Sequence, residues 1–276
     1  MDHSDRDRSS RGTFLRGAAA VGIGAVLAGA SAAVLAGASA MVALDASAAG
    51  TRADTVPSIL ATLLMTERLA TIFYYTALTS PAVMRDSRLC GSSASPANPG
   101  LPPGGNPSHV RYLQAALDAE SKHAALLAGA GATSPHTRFY YPRATFTQMG
   151  TPTDPHTFLG VLDQLETASL GAYIAAVGAL ASLRHVDLAG LAAGIAGVEA
   201  EHRMLGRLLA GIKPANNLTL EREPFARVSD AASALQPFLT GKGFAPGAMG
   251  PLALPTTAQT AQIVGKYSTL VVRRFL

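Results

Sequence analysis

Two short stretches of this chain, AESKHAALL and VEAEHRMLG, place a glutamate three residues before a histidine inside an apolar, alanine- and leucine-rich run. The pairs are Glu120/His123 and Glu199/His202. On a helix, residues three apart lie about 60° apart around the axis and about 4.5 Å apart along it. A carboxylate and an imidazole so placed can aim at one shared cation. Without a partner, such groups are costly to bury. Their recurrence in two apolar segments asks for a compensating charge.

The other glutamates complete a pattern. Between residues 57 and 211 there are five: Glu67, Glu120, Glu166, Glu199 and Glu201. Taken by helical segment, the order is E, ExxH, E, ExxH. Leu60, Leu63 and Leu64 share a stripe with Glu67, and Leu113, Leu117 and Leu127 share one with Glu120. Leu159, Leu162 and Leu170 accompany Glu166, and Ile195 and Leu209 accompany Glu199. Each of these glutamates therefore lies on an inward seam. Four buried carboxylates repel one another unless cations sit between them. Two divalent ions would neutralise them, and neutral imidazoles would add one nitrogen ligand per ion, leaving room for solvent or a small oxidant. The competing reading is surface glutamates with core histidines, or a bundle that has lost its metal.

Neighbouring residues sort by position. Glu201 directly precedes His202, about 100° round the helix, and reads as solvated. Tyr74 and Tyr173 each follow a seam glutamate by seven residues. They share its face, either as hydrogen-bonding or oxidisable phenols beside the metals or as core aromatics with satisfied hydroxyls. Asp163 lies one turn before Glu166 and is either an orienting partner for a ligand histidine of an adjacent helix or a plain helix-surface aspartate. His109, His136, His156 and His185 fall in loops or at helix ends and read as surface residues, with Cys90 a bystander in a loop.

Four helical segments must carry the pattern. The first spans about 57–80, with Pro57 in its opening turn. The second spans 108–129, with Ser108 as N-cap and Gly129 or Gly131 as the stop. The third spans 154–183, opened by Asp154 and Pro155. The fourth spans 187–211, capped by Asp187. Only "RHV" separates the third from the fourth, which predicts an antiparallel hairpin. Segment 131–155 is long enough to cross a bundle from end to end. Segment 81–107, rich in Pro, Gly and Ser, reads as an irregular surface loop. Beyond 212, two weaker helices near 225–239 and 256–269 are expected to pack outside the bundle.

Composition is consistent with a packed globule: of 276 residues, 48% are hydrophobic and 14% charged. The formal charge of +4 arises after residue 48, because 1–48 carry four Arg and four Asp. No dense Lys/Arg run and no tryptophan support nucleic-acid binding. A single cysteine excludes a disulfide framework. Residues 1–48 have a basic head ending at Arg16, an Ala/Gly-rich apolar run and a closing "ASA", the plan of an export signal. The alternative is an uncleaved membrane anchor. "SRGTFLRG" resembles a twin-arginine signal, with Gly12 in place of the second arginine. The expected location is periplasm, cell envelope or secreted medium.

The E, ExxH, E, ExxH order with one long crossover resembles the ferritin-like superfamily over roughly 57–211. The export-like segment, long loops and C-terminal part are similar to exported ferritin-like proteins related to plant desiccation-related proteins. The resemblance implies an all-α four-helix bundle with a crossover between its second and third helices. It covers 55–211, with 212–276 packed on the bundle. It further implies two Fe or Mn ions, held by Glu67, Glu120, His123, Glu166, Glu199 and His202. Glu120 and Glu199 would bridge the metals, and His123 and His202 would be terminal nitrogen ligands. The chemistry implied is reaction with oxygen or peroxide, as in an oxidase, a peroxide scavenger or a ferroxidase. Iron storage would need a homo-oligomeric cage, which the long loops and C-terminal extension would obstruct. The third expectation is a stress-protective or envelope protein in which metal only stabilises the fold.

Overall fold

The first helix begins where the sequence offers two hydroxyls for its unsatisfied amides. In the computed structural model, which describes residues 53–90, 107–216 and 224–265, α1 spans Val56–Thr79. Thr55 Oγ1 accepts from the Ser58 amide at 3.3 Å, and Ser58 Oγ accepts from the Thr55 amide at 2.8 Å. Reciprocal caps of this kind stabilise a helix start by about 1 kcal/mol. The export-like segment 1–48, residues 91–106 of the long loop and residues 266–269 of the last expected helix lie outside the described residues.

Two short helices, α2 (Pro81–Met84) and α3 (Ser87–Cys90), follow α1. The second long helix, α4, spans Pro107–Gly129, so Ser108 lies inside the helix rather than capping it. The third, α5, spans Phe158–Ser182, with Thr157 at the N-cap position. Asp154 and Pro155 do not open it. Asp154 Oδ1 instead accepts from the His156 amide at 3.1 Å, and the Thr157 amide reaches the Asp154 carbonyl at 3.3 Å. This tight turn is laid directly over the helix start: a Cβ on Gly160 would sit 1.7 Å from the Asp154 carbonyl oxygen. The fourth, α6, spans Val186–Leu209, with Asp187 in its first turn rather than at its cap. Residues 183–185 make the expected tight hairpin, Arg184 adopting positive φ (64°) as His185 donates to the Leu180 carbonyl at 2.9 Å.

The four long helices run α1 up, α4 and α5 down, and α6 up. Two apolar clusters show this. One joins the end of α1 (Leu69–Leu78) to the starts of α4 and α5 (Val110, Leu113, Phe158, Leu162) and the end of α6 (Leu205, Leu209). The other joins the start of α1 (Ile59–Leu64) to the ends of α4 and α5 (Leu127, Ala176, Leu180) and the start of α6 (Ala189, Ile195). Parallel α4 and α5 need a connection as long as the bundle, which residues 130–157 supply. Helices α1 and α5 are long and apolar enough to cross a membrane, but most of each is buried inside the protein.

The crossover contains a feature absent from the sequence reading. Strand β1 (Arg138–Pro142) pairs antiparallel with β2 (Ala248–Ala253), a two-stranded ribbon beside the helices. Tyr141 of β1 is fully buried and donates to the Leu69 carbonyl of α1 at 2.7 Å. Phe73 stacks on Phe158 at 5.0 Å, with Tyr141 and Phe146 against it. Among the described residues the C-terminal part contains α7 (Val228–Ala234) and α8 (Gln236–Thr240), two short helices where one was expected near 225–239, and α9 (Thr257–Gly265) within the second expected helix. These pieces are tied to the bundle: the Val228 amide donates to Asp54 Oδ2 at 2.8 Å, and Gln114 of α4 donates to the Ile263 carbonyl at 3.1 Å.

Candidate metal centre

Between the two apolar clusters lies a polar layer. Glu67, Glu120, Glu166 and Glu199 are 0–1% exposed, and His123 and His202 7%. The apolar partners expected on their seams are all buried with them. Each long helix thus contributes its glutamate near its middle, and α4 and α6 add the histidines one turn further on.

The donors fall into two overlapping sets. Glu67, Glu120, His123 and Glu199 offer ligand atoms within 4.8 Å of one another, and so do Glu120, Glu166, Glu199 and His202. Glu120 and Glu199 belong to both. His123 Nδ1 lies 3.2 Å from Glu67 Oε2 and 3.4 Å from Glu199 Oε1. His202 Nδ1 lies 2.7 Å from Glu120 Oε1, yet the two are not aligned as a hydrogen bond. Both oxygens of Glu120, both of Glu199 and Oε2 of Glu166 are buried without a hydrogen-bond donor.

Tyr74 and Tyr173 are fully buried, and their placement is reciprocal. Tyr74 of α1 donates to Glu166 Oε1 of α5, and Tyr173 of α5 donates to Glu67 Oε1 of α1. The antiparallel run of α1 and α5 produces this exchange, since each tyrosine sits seven residues beyond its own helix's glutamate. Each phenol occupies one oxygen of an outer carboxylate and leaves the other facing the layer. Burial, then the charge of the carboxylate it serves, raises each phenol well above its ordinary pKa, so both remain donors.

The electrostatics report an uncompensated cluster. Burial first, and the charge of Glu199 second, push Glu120 and Glu166 well above the usual carboxylate range and raise Glu67. Burial would lower His123, but the close carboxylates of Glu199 and Glu67 outweigh it and push the imidazole up to about 9. His202 goes the other way: burial lowers it, with Glu199 opposing and His123 adding to the effect. Five donorless carboxylate oxygens in a dry layer are costly unless a cation compensates them, and the grouped carboxylates and imidazoles could hold one. Oxygen donors with one imidazole nitrogen per set suit iron or manganese. Each of the two overlapping sets has the donors that could hold such an ion.

Other sequence candidates fall outside the layer. Glu201 is exposed, as its position on the helix required. Asp163 faces a guanidinium: its Oδ1 lies 3.8 Å from Arg207 Nη1. His185 is exposed, while His109, His136 and His156 are half-buried; His109 Nδ1 contacts the Arg88 carbonyl at 2.9 Å. Sequence reasoning missed Arg203 and Arg207, both 5% exposed on α6. Arg203 Nε donates to Thr167 Oγ1 at 2.9 Å, linking the residue after His202 to the residue after Glu166. The available signal was their spacing, one and five residues past His202 on a helix whose outer face is otherwise almost uncharged.

A four-helix bundle with one long crossover, carrying E, ExxH, E, ExxH in one buried layer, defines a carboxylate-bundle class. Comparison with known families agrees: a ferritin-like domain matches residues 55–211, and the chain belongs to that family. No curated protein and no solved structure matches the chain.

Proposed function

We propose that this protein is an exported ferritin-like protein that binds a dinuclear iron or manganese centre and reacts with oxygen or peroxide. Glu67 and His123 would hold one ion, Glu166 and His202 the other, and Glu120 and Glu199 both. The observation that carries the reading is the overlap of two four-residue sets on two shared glutamates whose oxygens receive no hydrogen bond. A pair of such ions would supply two electrons, one from each, which with two protons would reduce one peroxide to two waters. The chain's own groups define the setting for that chemistry. The two tyrosines fix the outer carboxylates, and the apolar clusters above and below keep bulk water from the layer. The export part of the reading is supported by the three-part plan of residues 1–48.

The test is elemental analysis of protein purified from its native compartment, followed by mixing with oxygen and with hydrogen peroxide. Two iron or manganese ions per chain and a change in their absorption on mixing are expected. Metal that raises the melting temperature but reacts with neither oxidant would instead make the centre structural. Absence of bound metal after loading would end the dinuclear reading.

A further inference from the structure

Among the described residues the polar layer is least covered at its two histidines. The four carboxylates are 0–1% exposed, whereas the side chains of His123 and His202 each keep 9%. Both histidines stand at the seam between α4 and α6. His123 of α4 reaches Glu199 of α6 at 3.4 Å, and His202 of α6 reaches Glu120 of α4 at 2.7 Å. The shortest way from solvent to the carboxylates therefore runs through this seam, past the imidazole rings.

The residues that border the seam are not uniform. On α4, Tyr112, Ala119 and Leu126 recur every seven residues and so form one stripe on the flank that also carries His123. Tyr112 is 47% exposed and Leu126 53%, large side chains at the two ends of the stripe, with alanine between them. On α6, Leu191, Val198 and Leu205 form the matching stripe on the flank of His202. Ala119 is one turn before His123 and Val198 one turn before His202, and both are half-buried. The two stripes thus narrow to their smallest side chains at the level of the metal layer.

We propose that the notch between Ala119 and Val198 is the entrance to the site, and that these two side chains set its size limit. A gap bordered by an alanine and a valine and floored by two imidazoles admits a divalent cation, dioxygen or hydrogen peroxide, and turns away an organic substrate. This inference rests on the dinuclear reading above, and it assigns Ala119 and Val198 a role that neither coordination nor core packing requires.

The experiment is cobalt(II) uptake by the metal-free full chain, followed by stopped-flow absorbance and finished by elemental analysis. Ala119→Phe should slow uptake by roughly tenfold or more, an added barrier step of the size that a tenfold rate change represents, while the final content remains that of the wild type. Val198→Ala, which only removes atoms, should hasten uptake. Ala125→Phe, a bulky residue at an exposed position off the seam, should load like the wild type. Uptake by Ala119→Phe at the wild-type rate, or equal slowing by Ala125→Phe, overturns the entrance while leaving the metal site standing. If the wild type itself takes up no cobalt, the dinuclear reading fails first and the entrance with it.

Discussion

The two halves of the polar layer are built from the same parts and behave differently. One half has Glu67, His123 and a phenol from α5; the other has Glu166, His202 and a phenol from α1. Yet His123 is pushed up to about 9, while His202 is lowered. The cause is local. His123 has two carboxylate oxygens within 3.4 Å, one aligned as a hydrogen bond, whereas His202 has one close oxygen and no aligned bond. The surroundings differ as well. Buried Arg203 ties α6 to α5 behind the second half, whereas Arg68, beside Glu67, turns to the crossover and donates to the Ser134 and His136 carbonyls at 2.7 and 3.1 Å. Repetition of E and ExxH makes the layer; the packing around each copy makes the copies inequivalent.

The largest expected effect separates shared from unshared ligands. Glu120→Ala or Glu199→Ala should abolish binding of both ions, and Glu67→Ala or Glu166→Ala should leave roughly one, read by elemental analysis. Equal loss from all four would mean that the layer does not divide into halves. Next come the tyrosines. Tyr74→Phe removes the donor to Glu166 and Tyr173→Phe the donor to Glu67. Each should weaken one of the two binding steps by about 10- to 100-fold in calorimetric titration. The weakened half should be the one on the helix opposite the mutation. If Tyr74→Phe instead disturbs the Glu67 half, the reciprocal arrangement is wrong.

Smaller effects concern the metal-free protein. Glu120→Gln removes a buried charge whose neighbours repel it. It should raise the metal-free melting temperature by about 2–4 °C for each kcal/mol of repulsion relieved. The same variant should lower the melting temperature of the loaded protein. For pH, Glu67, Glu120, Glu166 and His123 all have folded pKa values above their unfolded ones. Their contribution to stability is complete below the unfolded values and is lost as pH rises through the folded ones. His202 has the opposite sign and loses stability as pH falls. With four groups against one, the metal-free melting temperature should fall as pH is raised from about 5 to about 9, and loading with metal should remove that slope. A slope that survives loading would place the responsible groups outside the layer. Smallest of all, Glu201→Ala should change neither metal content nor melting temperature, because its side chain is exposed.

Much of this layer was legible in the sequence because it is written at helical spacing. Glu67, Glu120, Glu166 and Glu199 each share a period with leucines that are buried beside them, so four independent stripes indicated one core. What was not legible depends on pairing between distant segments. That Tyr74 serves Glu166, and not its own helix's Glu67, follows only from α1 and α5 running in opposite directions. Strand β2 contains Gly250 and Pro251, which read as loop, and its partner lies more than a hundred residues earlier. Asp154-Pro155 looked like a helix start, but the Asp154 side chain is spent on the His156 amide within a turn, leaving Thr157 at the boundary. The burial of Arg203 and Arg207 was not legible either; α6 packs closely on α5 there, where a Cβ on Gly206 would meet Leu162 Cδ2 at 2.8 Å.

The most direct test is an anomalous diffraction experiment on crystals of the full chain loaded with manganese or iron. Two anomalous peaks are predicted, one bounded by Glu67, Glu120, His123 and Glu199, the other by Glu120, Glu166, Glu199 and His202. Peaks only at surface carboxylates, or an empty layer in protein soaked to saturation, would contradict the dinuclear site.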